Sequence, residues 1–145
     1  MILLPPEVRF ALRANDINRR AAASADGTEP DPVPALKLFN PPGAATWLAT
    51  ELGEDGDTLF GLADLGFGCP ELGYFSLSEI RAVRLPYGLW IERQLGFTTP
   101  FPLSIWAEWA RRAGSILWTE TILRRAAESG AEPELPIRSG EPDGG

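Results

Sequence analysis

Two turn signals, Asn40-Pro41-Pro42-Gly43 and Gly53-Glu54-Asp55-Gly56-Asp57, constrain this chain more than any other feature. Each gathers glycine, proline, asparagine or aspartate into one short stretch, where a backbone reverses at low cost. They separate three runs, Pro34–Asn40, Thr46–Leu52 and Thr58–Leu65, each about a strand long. In the first run Leu36 and Leu38 fall on one side and Lys37 and Phe39 on the other, which is strand periodicity. Connections this short leave no room for a crossover helix, so they predict an antiparallel meander.

Helical patterns flank the meander. Pro5-Pro6-Glu7 reads as a first helical turn, because proline lacks only an N–H that has no partner there anyway. Leu4, Val8, Leu12 and Ile17 then recur at helical spacing. Ala21–Pro34, with Asp26-Gly27 and three prolines, reads as a solvated linker. Glu71 falls in a turn bounded by Pro70 and Gly73. Ser76 and Glu79 have the spacing of a capping box, which predicts a short helix over Leu77–Arg84. Leu89–Phe97 reads as a fourth strand or extended segment, and Leu103–Ser129 as helical with a break at Gly114. The expected architecture is one α+β domain over residues 1–129. It has a small antiparallel sheet of three to four strands, an N-terminal helix, a short capped helix and a C-terminal helical region. Residues 130–145, rich in proline, glycine and acid, are expected to be a disordered acidic tail.

Composition narrows the chemistry by subtraction. The 145 residues include no histidine, so a His-based triad and a His-ligated zinc are excluded. One cysteine, Cys69, gives no internal disulfide, and without histidine nothing activates it as a nucleophile. Phosphate-binding, dinucleotide and serine-hydrolase glycine motifs are absent. The sequence therefore nominates no catalytic residue, no cofactor and no metal ligand. No apolar run approaches a membrane span, and the start lacks a signal-peptide pattern. A cytoplasmic protein with no membrane partner is expected.

The net charge is −7, with 20 acids against 13 bases. It is unevenly spread. The 43 residues between Lys37 and Arg81 hold no base and seven acids: Glu51, Glu54, Asp55, Asp57, Asp64, Glu71 and Glu79. Solvated hairpin tips and the Ser76–Glu79 cap explain part of this. The first six acids are the candidate binding residues, as an electronegative face steers a basic partner. Direct nucleic-acid binding is not expected at this charge. Trp109 and Trp118 are the other candidates. Nine residues apart, they would oppose each other on one straight helix, so either the chain breaks near Gly114 or one indole stays exposed. An exposed indole would mark a partner surface or a homodimer contact.

Several blocks carry a family resemblance. They are Pro34-x-x-Lys37-Leu38-Phe39, Thr46-Trp47-Leu48-x-Thr50-Glu51-Leu52 and Phe60-Gly61-Leu62-x-Asp64-Leu65-Gly66. Pro70-Glu71-Leu72-Gly73-Tyr74-Phe75-Ser76-Leu77-x-Glu79-Ile80 and Gly88-Leu89-x-Ile91-Glu92-Arg93 complete them. Together they resemble bacterial family number twenty-nine fifty-eight of the domains of unknown function. Where this chain has Trp90 and Gln94, the family pattern expects a proline and an acid. The resemblance implies a small protein of plasmids, integrated conjugative elements and phages, often encoded near antirestriction genes. It carries over no catalytic residues.

The expected function is thus a non-enzymatic acidic binding protein of a mobile genetic element. It would be a counter-defence inhibitor, of anti-CRISPR or antirestriction type, covering a basic or nucleic-acid-binding surface of a host protein. One alternative is a carboxylate-dependent divalent-metal hydrolase using Glu51, Asp64, Glu71 and Glu92, which requires those groups to converge. Another is an accessory subunit that dimerises through the Trp-rich C-terminal helix.

Overall fold

The run Thr46–Leu52 forms the central strand, β2, and all seven of its residues are buried. The computed structural model describes residues 1–135. β2 lies between β1 (Leu36–Phe39) and β3 (Thr58–Asp64), with β4 (Glu71–Ser76) and β5 (Glu92–Arg93) at the edges. The order is β4-β3-β2-β1-β5, and every neighbouring pair is antiparallel. Among the described residues four α-helices complete the α+β fold: α1 (Pro6–Ser24), α2 (Leu77–Ala82), α3 (Leu103–Ala113) and α4 (Ile116–Ser129). Residues 130–135 follow α4 without helix or strand. The rest of the expected acidic tail, residues 136–145, lies outside the described residues.

Strand alternation divides the apolar residues between two cores. Leu36, Leu38, Trp47, Ala49 and Leu59 pack with Leu12 of α1, Leu77 and Ile80 of α2, and Leu3 and Leu4. Leu48 and Leu62 point the other way and pack with Trp106, Trp109 and Ala110 of α3 and Ile116 and Leu123 of α4. The sheet is therefore a middle layer with helices on both faces. Each leucine buried this fully contributes about 2 kcal/mol.

The meander and its hairpin lie where the turn signals put them. The sheet has one strand more than the expected three to four. Glu71–Ser76 pairs with β3 over six residues, instead of forming a turn that leads into the helix cap. In the other direction, Leu89–Phe97 shortens to the two-residue β5. Trp90 precedes it and is 54% exposed, with the Arg84 guanidinium 4.3 Å above its ring. The C-terminal break falls at Gly114, whose φ of 85° ends α3 in a left-handed cap. Ser115 then caps α4 by accepting from the Trp118 N–H. Trp109 and Trp118 thus sit on separate helices. In α1 the apolar stripe ends early: Ile17 is 54% exposed, and Asp16 takes the buried position four residues after Leu12.

β2 is not regular. Its pairing with β3 steps from Ala49↔Gly61 to Glu51↔Phe60, so Thr50 is an extra residue, a β-bulge. Gly61 makes the close approach possible there. A Cβ at that position would lie 1.8 Å from the Leu48 carbonyl oxygen and 2.8 Å from the Ala49 Cα. Gly61→Ala is expected to cost about 3 kcal/mol by forcing the two strands apart. Gly73→Ala, with nothing within 4 Å of its added carbon, is expected to change stability by about 0.5 kcal/mol or less. Urea unfolding of the two variants checks the contrast.

Candidate functional site

The bulge sets up the site. It disturbs the ladder, and α1 supplies hydrogen bonds to nearby β2 carbonyls. Asn15 Nδ2 donates to the Thr50 carbonyl at 2.9 Å, and Arg13 Nη1 donates to the Leu52 carbonyl at 2.7 Å. Asp16, 3% exposed, then organises the arginines around it. Its carboxylate lies 2.7 Å from Arg13 and 3.2 Å from both Arg19 and Arg20. Arg19 also crosses to buried Glu51 of β2, donating from Nε at 2.8 Å. These four charged side chains and Glu51 join α1 to the central strand. Burial pushes the Asp16 pKa up, but the hydrogen bonds and charges of Arg13 and Arg20 outweigh it, and the net direction is down. On Arg19 the hydrogen bond to Glu51 acts first, raising its pKa further.

Beside this network is a cleft of about 310 Å³. Asp16, Glu51, Glu54 and Asp55 bring four carboxylates to it, and Arg19 and Arg20 bring two guanidiniums. Phe60 and Tyr74 form an aromatic wall, with ring centroids 5.0 Å apart in an edge-to-face arrangement. Asp16 and Glu51 are committed to arginines. Glu54 is exposed and makes no ion pair among the described residues. Asp55 uses its carboxylate to hold the hairpin, accepting from the N–H of Asp57 and Thr58 and from the Thr58 hydroxyl. Those bonds, from Thr58 first, lower its pKa to about 2. The cleft is therefore net negative, and its uncommitted charge lies at the hairpin.

The other candidate acids go elsewhere. Asp57 accepts from the Ser76 hydroxyl and the Ser78 N–H, and so orders the start of α2. Ser76 in turn accepts from the Glu79 N–H, as the capping-box spacing predicts. Asp64 is 1% exposed and accepts from the Gly66 and Ile116 N–H groups, tying β3 to the start of α4. Glu71 is exposed at the start of β4. Glu51, Asp64, Glu71 and Glu92 thus lie on four different strands, β2, β3, β4 and β5, and Glu51 and Asp64 have separate partners. Among the described residues no group of three or more carboxylates or cysteines is arranged to hold a metal ion. Trp109 is buried in the α3–α4 core, with the Arg112 guanidinium 4.7 Å from its ring, which withdraws it from any partner surface. Trp118 is 44% exposed.

Residues 3–117 match the model of a family described as "Protein of unknown function (DUF2958)". The chain belongs to that family. The match spans α1, the whole sheet, α2 and α3, and ends within the first turn of α4. No curated protein and no solved structure matches the chain. The DUF2958 region therefore contains the complete cleft, including Asp16, Arg19, Arg20 and Tyr74. Sequence reasoning missed these four because it followed the acidic stretch alone. The available signal was Asp16, a carboxylate at a core position of the α1 stripe.

Asp16→Ala takes a shared carboxylate from three guanidiniums, of which Arg19 keeps Glu51 and Arg13 keeps the Leu52 carbonyl. Removing one partner from a buried ion pair costs about 3–5 kcal/mol, and the part-exposed arginines lower this to about 2 kcal/mol. Acid sensitivity follows from the same carboxylates. Asp16, Asp55 and Asp57 all have folded pKa values below the ordinary 3.8. Their stabilisation is therefore complete above about pH 4 and is lost as pH falls toward 2. Denaturant midpoints measured from pH 6 to pH 2 check both points. Asp16→Ala should be less stable at pH 6 and lose less on acidification than the wild type.

Proposed function

We propose that this DUF2958 protein is a non-enzymatic binding protein whose cleft receives a basic side chain of a partner protein. One observation carries the reading. Beside the wall of Phe60 and Tyr74, Asp16 and Glu51 already hold arginines, while Glu54 is left unpaired and Asp55 ionised. A partner arginine entering there would donate a charge-assisted hydrogen bond to Glu54 and make a cation–π contact worth about 0.5–1 kcal/mol with Tyr74. The built-in arginines support the same chemistry, since Arg19 already meets a carboxylate beside these rings.

The setting we propose is counter-defence by a mobile genetic element. The partner is then the basic, nucleic-acid-binding surface of a host defence nuclease, of CRISPR or restriction type, in the cytoplasm. The acidic hairpin favours such a surface by charge complementarity, and the family resemblance supports the setting. No helix of the described residues is long and apolar enough to cross a membrane.

The test is affinity capture from a host carrying restriction and CRISPR systems. Wild type and Glu54→Arg are used side by side, with quantitative mass spectrometry and cross-link mapping. The expected result is a nuclease subunit captured by the wild type, cross-linked at residues 53–58 and depleted about tenfold by Glu54→Arg, a loss of about 1.4 kcal/mol. Equal capture by Glu54→Arg and by the Glu54→Arg, Tyr74→Ala double variant refutes the reading.

A further inference from the structure

The two edges of the sheet differ in kind. β5 is two residues long and offers almost nothing to a further strand. β4 is six residues long, and its pairing with β3 is regular from Thr58↔Ser76 to Ala63↔Glu71. Among the described residues, no backbone group outside the sheet hydrogen-bonds to the backbone of residues 71–75. Natural edges are blunted by proline, lysine, bulges or inward charges. Within Glu71–Ser76 there is one charge, Glu71, at the very start, and no proline, lysine or bulge. Gly73, in the middle, has open space where a side chain would be. Leu72 and Tyr74, two residues apart on one face, are 47% and 70% exposed.

We infer that β4 is the docking edge for an extended basic segment of the partner protein, which adds to the sheet as a sixth strand. The inference rests on the cleft reading above and names the form the partner takes. Tyr74 belongs to both features: it is a β4 residue and part of the cleft wall. A strand added to β4 would place a side chain opposite Tyr74, beside Glu54 and Asp55, and its alternate neighbours near Leu72. Main-chain bonds supply the affinity and the cleft selects the side chain. Charge identifies the occupant. Glu71 starts the strand, Asp57 meets its last residue, and Glu79 follows on α2. Residues 71–80 contain two acids and no base. Pairing with β4 of a second copy would therefore bring like charges together, whereas a basic segment meets opposite ones.

The test uses two synthetic heptapeptides alternating threonine with arginine, one of ordinary backbone and one N-methylated at alternate residues, plus a threonine–glutamate control. Each is titrated into the full ¹⁵N-labelled chain. The ordinary arginine peptide should shift amide signals across 71–76 and slow the exchange of β4 amides about tenfold. The N-methylated and glutamate peptides should do neither. Equal binding by the N-methylated peptide, with shifts confined to 53–58, overturns strand addition and leaves the cleft reading standing. Equal binding by the glutamate peptide overturns the basic occupant. No shift with any peptide at millimolar concentration overturns the inference, whereas capture with Glu54→Arg tests the cleft independently.

Discussion

A strand buried along its whole length and interrupted by a bulge needs polar partners from outside the sheet. β2 is such a strand, and α1 is the source. The carbonyls of Thr50 and Leu52 receive Asn15 and Arg13. Buried Glu51 receives Arg19, and Asp16 holds the arginines in position. An unsatisfied buried polar group costs about 1–3 kcal/mol, so the bulge and these α1 side chains depend on one another. Gly61 completes the arrangement from β3, because no side chain fits there. The position of α1 is therefore set by polar geometry as well as by the packing of Leu12.

The same bridge changes the meaning of the charge pattern. Along the chain, seven acids occupy a stretch without bases, which reads either as solvated turns and sheet surface or as an electronegative face. In space, the N-terminal helix brings arginines to it. Glu51 is neutralised locally, Asp64 is a buried cap, and Asp55 and Asp57 order turns while remaining charged. The charge without an internal partner among the described residues contracts from a broad face to Glu54 and its neighbours at one hairpin. A small charged spot beside two aromatic rings suits recognition of a single side chain better than long-range steering, which scales with the summed field.

Much of the fold was legible because its signals are local. Turn residues, the Ser76–Glu79 spacing and Gly114 each act within a few positions, and each places an element boundary. β4 was not legible for a physical reason. Leu72 and Tyr74 face outward, Gly73 has no side chain, and Glu71 disfavours a strand, so burial leaves little pattern there. Strand formation in Glu71–Ser76 comes from pairing with β3, a partner that no short window contains. The cleft was half legible. Glu51, Glu54 and Asp55 stood out by charge, but their relation to Asp16, Arg19 and Tyr74 depends on contacts across more than thirty positions of sequence, such as Arg19 to Glu51. Asp16 was missed although its signal is local, as a carboxylate on an apolar stripe needs a partner wherever it occurs.

The second helical layer obeys the same logic with different chemistry. Lys37, the sole lysine of the chain, is buried on β1 and meets Glu120 of α4. Asp64 of β3 takes the first N–H of that helix. α4 is thus tied to the sheet by one charge pair and one capping bond, as α1 is tied by its arginines. Both sets of ties fall on the inner strands β1, β2 and β3, where burial makes a polar partner obligatory. β4 receives few of them: Ser76 meets Asp57 at one end, and among the described residues no other backbone segment pairs with its outer edge. Polar satisfaction in this fold is therefore graded: it is densest on the buried inner strands and thins toward the β4 edge, where solvent can meet the backbone groups.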